Sequence, residues 1–334
     1  MLFRSRFVVF ASTAGNLALV NGAPIIPAST VRQNVYRHDR STRTTLLVSV
    51  NGAGTGGGNA DSWPAGISAD GRYILFESLA DDLVSGDTNS VGDIFLRDLD
   101  AGATVLVSVG RDGPANGESR DAVMTPDARW VAFSSAASNL AAGDTNGIPD
   151  VFVRDVRTGA TWLVSVNAAS TAPAMLMGGS HSPRITPDGR HVAFLSTATN
   201  IVQGASATFE IYVRDIVAAQ TRWVSRDAGV LLDAAGGGSR PVACNHTISS
   251  DGRFVAFEAL SSIPGPMGGP GMWGVVLRFN LDTGKTDLVS TRAIVPRANP
   301  EDIRSLDMTP DGRFVAFVAS PDGVDRKSTR LNSS

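Results

Sequence analysis

The sequence has few cysteines and few aromatic residues, and it carries no excess of positive charge. Cys244 is the only cysteine among 334 residues, so no disulfide can form within the chain, and disulfide usage says nothing about its compartment. The formal net charge is −3, and nucleic-acid binding, which depends on a basic surface, is therefore not expected. No stretch approaches the roughly eighteen uninterrupted apolar residues of a spanning helix, so no membrane span is predicted.

Glycine and small apolar residues are abundant. The chain has 35 glycines, is 43% hydrophobic and contains only 7% aromatic residues. This balance favours many short strands joined by tight turns over long helices, and the apolar content is enough to bury a sizeable core. The composition therefore predicts an all-β protein.

The first thirty residues have the order of an export signal. Arg4 and Arg6 precede an apolar stretch, Phe7–Val20, and small residues follow it, as in a secretory leader. We therefore expect residues 1–30 to be an export signal or a disordered start, and the protein to be periplasmic or secreted. The alternative is a mis-assigned start of the chain.

An internal repeat of about sixty residues organises the rest of the chain. A turn signal of the type Pro/Ser-Asp-Gly-Arg recurs five times, with its aspartates 57 to 63 residues apart. In such a turn the glycine takes the left-handed position, and Ala128 departs from the pattern at a cost of about 1 kcal/mol if that position is left-handed. The five turns are Ala69–Arg72, Pro126–Arg129, Pro187–Arg190, Ser250–Arg253 and Pro310–Arg313.

Each turn is followed by strand signals at fixed offsets. A short apolar run comes first, a second β-rich segment ending in Arg-Asp follows about twenty residues later, and a Leu-Val-Ser segment closes the repeat. With the strand before the turn, every repeat holds four strands, and such a unit must stack on its neighbours to bury both faces. In the second repeat these segments are Tyr73–Phe76, Asp93–Asp98 and Val105–Val109.

These motifs resemble the TolB-like, WD-like β-propeller repeat family. The resemblance covers roughly residues 34–320 and is carried by the Asp-Gly-Arg turn, the aromatic-aliphatic strand, the Val-Arg-Asp strand and the Leu-Val-Ser strand. It implies a β-propeller of four-stranded antiparallel blades and little about chemistry. Such repeats occur in periplasmic assembly proteins and in the accessory domains of peptidases.

The ends of the repeat array set the expected domain limits. Residues 34–50 match the second half of a repeat and residues 303–320 match the first half, so the two halves are predicted to complete one composite blade. We therefore expect a propeller over residues 31–324 with about five blades, four complete and one composite, or a piece truncated from six to eight. The polar segment 325–334 is unrelated to the repeat and is interpreted as non-native.

An acidic loop that occurs twice is the sharpest candidate for a metal site. Gly86–Asp93 and Gly143–Asp150 share the pattern Gly-Asp-Thr-Asn-x-x-x-Asp, whose side-chain oxygens are of the kind that calcium prefers. The alternative is an Asx-rich turn whose side chains bond the local backbone. The predicted calcium ligands are Asp87, Asn89, Asp93, Asp144, Asn146 and Asp150.

Other polar motifs favour structural roles. In the repeated Arg-Asp pairs, such as Arg97 with Asp98, the two side chains face opposite sides of a strand, and they are predicted to form structural hydrogen bonds between blades. Cys244 and His246 would share one strand face, but a single cysteine and histidine make no zinc site. No Gly-x-Ser-x-Gly elbow is present, and the four histidines occupy unrelated repeat positions, so no cofactor and no catalytic residue is predicted.

The leading functional hypothesis is a non-catalytic, exported binding or scaffold propeller that holds a protein, glycan or small ligand at its axial loops. One alternative is a hydrolase whose site uses loop carboxylates such as Asp61, Glu118 and Asp121. The other alternative is the propeller part of a truncated peptidase.

Overall fold

The computed structural model describes the chain in two compact units. They comprise residues Met1–Leu163 and Val164–Ser334, and each is described by itself. The residues described are 6–20, 23–24, 31–142, 144, 146, 148–166, 179–206, 208–235, 241–261, 274–290, 306–318 and 329–333.

Short strands make up almost all of the secondary structure. The first unit contains β1 (Phe7–Ser12), β2 (Leu19–Val20), β3 (Ala23–Pro24), β4 (Asn34–Asp39), β5 (Thr44–Leu47), β6 (Ser62–Ile67), β7 (Tyr73–Ser78), β8 (Asp93–Asp98), β9 (Ala103–Leu106), β10 (Val109–Gly110), β11 (Gly113–Pro114), β12 (Ser119–Met124), β13 (Trp130–Ser135), β14 (Asp150–Asp155) and β15 (Thr161–Leu163). The second unit contains β16 (Ser180–Ile185), β17 (His191–Ser196), β18 (Glu210–Asp215), β19 (Gln220–Trp223), α1 (Ala228–Ala234), β20 (Pro241–Ile248), β21 (Phe254–Ser261), β22 (Gly274–Asn280), β23 (Thr286–Leu288), β24 (Asp307–Met308), β25 (Phe314–Val318) and β26 (Thr329–Ser333).

Four sheets are complete, with four antiparallel strands joined in chain order. We number the large sheets along the chain: sheet 2 is β6-β7-β8-β9, sheet 3 is β12-β13-β14-β15, sheet 4 is β16-β17-β18-β19 and sheet 5 is β20-β21-β22-β23. Their first strands all bulge before the turn, as between Arg120 and Val123 in β12. A bulge bends the strand and increases its local twist.

Local chemistry explains the recurring turn between the first two strands of each sheet. In sheet 2 the Asp70 carboxylate accepts hydrogen bonds from the Ser68 hydroxyl (2.5 Å) and from the Arg72 amide (3.0 Å). Gly71 has φ +75°, the left-handed conformation predicted for that position. Ala128 takes the same conformation with φ +55°, so its expected strain of about 1 kcal/mol is present.

The hydrophobic cores lie between successive sheets of each unit. In the first unit, Ile74 and Phe76 of sheet 2 pack with Val35 of β4, and Leu75 packs with Phe133 of sheet 3. In the second unit, Phe257 of sheet 5 packs with sheet 4, and Ala256 packs with Phe317 of β25. Sheets 2 and 5 therefore bury both faces, because alternate side chains of a strand point to opposite neighbours.

These sheets have the construction of β-propeller blades, and the predicted fold class is confirmed. The four complete blades expected from the repeat are all present. The composite blade is not formed among the described strands. Instead, β4 and β5 are joined by β1 in sheet 1, and β24 and β25 are joined by β26 in sheet 6, so each half-repeat has a third strand of its own.

The strand that completes sheet 1 comes from the segment for which the sequence favours an export signal. In β1, Phe7 pairs with Asp39, the register in which Tyr73 pairs with Asp98 in sheet 2. Arg6 forms an ion pair with Asp39 at 2.7 Å. The pattern Arg-aromatic-Val-x-Phe, which begins at Arg6, is therefore that of a repeat strand; export stays a prediction.

The remaining elements are small. The pairs β2 with β3 and β10 with β11 form two-stranded ribbons, and α1 packs Ala228 and Leu232 into the core of the second unit. None of the described residues forms a helix with the length and apolar character needed to cross a membrane. In the C-terminal segment assigned outside the repeat, β26 pairs with β25.

Candidate functional site: acidic loops and an arginine-aspartate cleft

The repeated Arg-Asp pairs form structural hydrogen bonds, but in sheet 2 these bonds lie within one blade, whereas bonds between blades were expected. In sheet 2, Asp98 accepts a bidentate hydrogen bond from Arg72 of the neighbouring strand, at 2.8 and 2.5 Å, and also the amide of Ala101 in the following turn (3.1 Å). The Arg72 guanidinium lowers the pKa of Asp98 well below its usual range. Arg97 points elsewhere and donates to the Thr104 hydroxyl at 2.9 Å, so the pair is divided between two environments.

The two acidic loops share one hydrogen-bond pattern. In the first loop the Asn89 side-chain amide donates to Asp93 (2.6 Å) and to the Ala115 carbonyl (2.9 Å), while its Oδ1 accepts the Val91 amide (3.1 Å). These bonds form an Asx turn that is hydrogen-bonded to Asp93, the first residue of β8.

The second loop repeats this arrangement. Asn146 donates to Asp150 at 2.6 Å and accepts the Ile148 amide at 3.0 Å. Residues Gly143, Thr145 and Gly147 of the predicted motif lie outside the described residues.

Asp93 has a structural role that does not depend on the acidic loop. It is fully buried and accepts the Ser108 hydroxyl at 2.5 Å. Sheet 1 has no acidic loop, yet Asn34 accepts the Ser49 hydroxyl at the equivalent position (3.1 Å), and Glu210 accepts Ser225 in sheet 4. The last predicted ligand of each loop therefore occupies a general structural position in the repeat.

Burial raises the pKa of Asp93 to about 6, although the hydrogen bonds from Ser108 and Asn89 oppose the shift. An ionised carboxylate removed from water is stabilised only by the donors that reach it, and here these are two neutral groups. Asp93 is therefore harder to ionise than an exposed aspartate.

Asp87 is the predicted ligand whose bonding capacity is least used. Its side chain is only 6% exposed, and its Oδ1 atom is buried without a hydrogen-bond partner among the described residues. Burial raises its pKa, the Asn89 backbone amide opposes that shift, and the Asp81 charge adds to it. Asp144 of the second loop is equally buried, and burial likewise raises its pKa.

The arrangement of acids bears directly on the calcium prediction. No group of three histidine, cysteine, aspartate or glutamate side chains converges as a metal site within the described part of the chain. A cation at either loop would therefore depend on amide, backbone carbonyl or water oxygens as well as on carboxylates. The calcium ligands stay a prediction.

The other sequence candidates are dispersed. Asp61 accepts the backbone amide of Gln33 at 2.7 Å, whereas Glu118 and Asp121 are exposed. The bulge between Cys244 and Thr247 breaks the strand alternation, so the shared face expected for Cys244 and His246 does not follow. Burial lowers the pKa of His246 to about 3, which keeps its imidazole neutral.

One half-buried carboxylate escaped the sequence analysis. Glu77 accepts the backbone amide of Ala122 in the bulge of the next sheet, at 3.0 Å. Burial raises its pKa, and the nearby Asp121 charge adds to the shift. This contact could not be predicted from the sequence, because it depends on the bulge, which turns the backbone amide of Ala122 toward Glu77.

A polar cleft in the second unit was also not predicted. It lies between sheets 4 and 5, has a volume of about 290 Å³ and opens to solvent. The charged and imidazole side chains that line it are Arg190, His191, Asp215, Arg222, Asp251, Arg253 and Asp282.

The cleft is lined from sheet 4 by two polar side chains at positions where sheet 3 has an aromatic pair. In sheet 3, Trp130 at the start of β13 packs on Trp162 of β15, with ring centroids 5.7 Å apart. The residues at the equivalent register positions in sheet 4 are His191 and Arg222. An imidazole and a guanidinium in place of two indoles make the walls polar.

The charges in the cleft are largely paired. Arg190 binds Asp215 at 2.8 Å and Arg253 binds Asp282 at 2.7 Å, while Arg222 donates to the Leu281 carbonyl at 2.5 Å. Burial lowers the pKa of His191, and Asp215 opposes that shift. Both hydrogen-bond donors and acceptors therefore face the open space.

Solved structures of TolB proteins and of a peptidase are among those similar to this chain. TolB from Acinetobacter baumannii is 17% identical, with a TM-score of 0.47, over 97% of this chain and 65% of that one. A TolB described as putative, from Agrobacterium tumefaciens, is 16% identical with a TM-score of 0.42, over 76% of this chain and 73% of that one. A puromycin-hydrolyzing peptidase from Mycobacterium tuberculosis is 13% identical with a TM-score of 0.48, over 94% of this chain and 42% of that one.

Four four-stranded blades and the sixty-residue repeat define the fold on their own. The chain has a β-propeller fold. It spans about two thirds of the length of the first TolB structure and less than half of the peptidase. No protein-family model matches the propeller sequence, and no curated protein matches it. The structural likenesses concern the fold and carry no information on ligand or activity.

Proposed function

We propose that this propeller is a non-catalytic, exported binding or scaffold module, and that its ligand docks in the cleft between sheets 4 and 5. The observation that supports this is the replacement of the Trp130–Trp162 pair of sheet 3 by His191 and Arg222 in sheet 4. In sheet 3 the two indole rings pack on each other, whereas sheet 4 has polar side chains at the same positions, and these line the cleft.

The lining indicates the chemistry of the ligand. Arginine and aspartate side chains stand on both walls, so a ligand with hydrogen-bond donors and acceptors fits better than an apolar one or one of a single charge sign. A polar protein segment or a glycan meets this requirement. Docking at the axial loops, expected from the sequence, remains the alternative location.

Filling the cleft provides the test. Replacing His191 and Arg222 together by tryptophan reproduces the pair of sheet 3. The probes are N-acetylated dipeptides that carry aspartate or arginine, and common disaccharides, each titrated by isothermal calorimetry. We expect at least one probe to bind the wild-type protein and no probe to bind the double variant.

The matched control is Val105→Trp, which adds an exposed indole at the same strand position of sheet 2. It should bind as the wild type does. If no probe binds the wild type, or if the filled variant binds equally well, the cleft is not the binding site. Hydrolytic turnover that disappears on replacing one carboxylate would contradict the non-catalytic assignment.

A further inference from the structure

The buried, unbonded oxygen of Asp87 requires a physical explanation. The side chain is 6% exposed, and its Oδ1 atom has no hydrogen-bond partner among the described residues. A carboxylate oxygen withdrawn from water without a compensating partner costs several kcal/mol if the group is charged. Such an atom in a native fold indicates either a retained proton or a bound water or ion.

Asp87 differs in this respect from the other acid of its loop. Both Asp93 oxygens are occupied, one by the Ser108 hydroxyl and one by the Asn89 amide, whereas Asp87 receives the Asn89 backbone amide and has Oδ1 left over. The local hydrogen bonds therefore satisfy both carboxylate oxygens of Asp93, but only one of the two oxygens of Asp87.

The surroundings of Asp87 supply space, oxygen atoms and a second negative charge. An open cavity of about 770 Å³ is bounded by the loop 81–87, by residues 50–54 and 102–104, and by Arg97, whose guanidinium donates to the Thr104 hydroxyl. Asp81 also lines the cavity, and its charge acts on Asp87; its carboxylate accepts a hydrogen bond from the Asn59 side chain. The Asp82 backbone carbonyl binds Gly52 across the cavity at 2.7 Å.

We propose that Asp87 Oδ1 is a ligand of a calcium ion held at this cavity, with Asp81 as the second acidic group and with backbone and water oxygens completing the coordination. Calcium takes six to eight oxygen ligands in flexible geometry and tolerates waters among them. It fits a loop with two carboxylates better than magnesium, which demands a near-ideal octahedron. This site retains Asp87 of the predicted ligand set and assigns Asp93 to the blade itself.

The bound ion would have a structural role. It would neutralise the buried charge of Asp87 and connect the loop 81–87 to the loop 50–54, which meet through the Gly52–Asp82 bond. A ligand that binds only the folded state raises stability by mass action. Calcium is therefore expected to stabilise the first unit, and its effect is independent of ligand binding in the cleft of the second unit.

The test is calcium titration of the full chain by calorimetry, together with thermal unfolding in calcium, magnesium or chelator. We expect calcium to bind and to raise the unfolding temperature, with a smaller effect of magnesium. Asp87→Asn should weaken calcium binding about tenfold or more, because it removes a charged ligand. Asp112→Asn, which changes an exposed acid outside the loop, should leave the affinity unchanged.

The chelated proteins separate the two explanations of the buried oxygen. Without calcium, Asp87→Asn should be at least as stable as the wild type, since it removes a buried charge that lacks a partner. If Asp87→Asn does not fold, Asp81→Asn at the rim should still weaken calcium binding. Absence of calcium binding to the wild type, or equal affinity of the Asp87 and Asp81 variants and the wild type, would overturn the proposal and leave Asp87 as a protonated acid.

Discussion

The ring of Phe254 lies so close to Gly312 that a Cβ atom at position 312 would come within 2.3 Å of the ring Cδ2 atom. Arg278 stacks on this ring, 5.0 Å from its centroid, and donates to the Gly312 carbonyl at 2.9 Å. The turn glycine of sheet 6 is therefore required by a neighbouring blade as well as by its own backbone, whose φ is +69°.

The same three-residue contact joins sheets 1 and 2. Arg37 stacks on Phe7 at 4.5 Å and donates to the Gly71 carbonyl at 3.0 Å, and a Cβ atom at Gly71 would lie 2.1 Å from the Phe7 ring. The contact therefore recurs once in each unit.

Gly312→Ala is predicted to destabilise the fold far more than Gly284→Ala. Both glycines have φ +69°, but a Cβ atom at Gly284 meets nothing within 4 Å. The Gly284 variant should cost about 1 kcal/mol of backbone strain, and the Gly312 variant a further 1–3 kcal/mol from overpacking against Phe254. Urea unfolding of both variants measures the difference, and equal losses would show that the ring contact contributes nothing.

Val9→Asp is predicted to destabilise the first unit. Val9 of β1 packs against the core shared with Val35 and Ile74, and an unpaired buried carboxylate there should cost roughly 3 kcal/mol. The control Val8→Asp changes a side chain that is 44% exposed and should cost less than about 0.5 kcal/mol. Urea unfolding of protein that retains its first twenty residues measures both effects.

The mass of the protein recovered after export tests whether β1 remains part of the protein. A protein that keeps residues 6–20 supports β1 as part of the fold. Removal of these residues, with equal stability of the two Val variants before removal, would establish the export signal and contradict the role of β1.

Asp155→Ala is predicted to cost more than Asp282→Ala. Asp155 is buried and performs two tasks, because it binds Arg129 at 3.0 Å and accepts the Arg157 amide at 2.9 Å. Asp282 is 55% exposed and binds only Arg253, while Asn280 accepts the turn amides in sheet 5. We expect about 2–3 kcal/mol for Asp155 and under about 1 kcal/mol for Asp282.

Equilibrium unfolding of these two variants measures how much stability each aspartate contributes. Similar losses would mean that the turn hydrogen bonds add no stability beyond the exposed ion pair. The double variant Asn280→Ala with Asp282→Ala should approach the loss found for Asp155→Ala, since it removes both tasks from sheet 5.

The stability of the protein should fall as pH rises from about 4 to about 6 through the titration of Asp93. Burial raises the pKa of this carboxyl to about 6, so the folded state binds its proton more tightly than the unfolded chain does, and ionisation favours unfolding. Asp93→Asn removes the titration and keeps an acceptor for Ser108, as Asn34 does for Ser49.

The free energy of unfolding of Asp93→Asn relative to the wild type should therefore increase between pH 4 and pH 7, by at most ~3 kcal/mol. Denaturant unfolding at four or five pH values gives this difference. Asp112→Asn, at an exposed position, should show none. A flat profile for Asp93→Asn would mean that Asp93 ionises as readily in the fold as in the unfolded chain.

Local chemistry made the blades predictable. The Asp-Gly-Arg turn, the alternating strands and the closing Leu-Val-Ser segment act over a few residues, so their spacing alone located the four strands of each complete blade. The same pattern begins at Arg6, and the sequence analysis missed it because an apolar run behind arginines also has the composition of an export signal. Pairing of Phe7 with Asp39 is a long-range fact that composition does not contain.

The sequence by itself determined the repeat, the turn conformations and the fold class, because each depends on neighbours along the chain. Only the tertiary structure decided which polar atoms are satisfied and where space remains. Asp87 and Asp93 look alike in the motif, yet only Asp93 meets a serine from another strand. His191 and Arg222 line a cleft from two strands, at positions where sheet 3 has two tryptophans. Partners and cavities are set by chain segments that are distant in sequence, whereas the repeat is local.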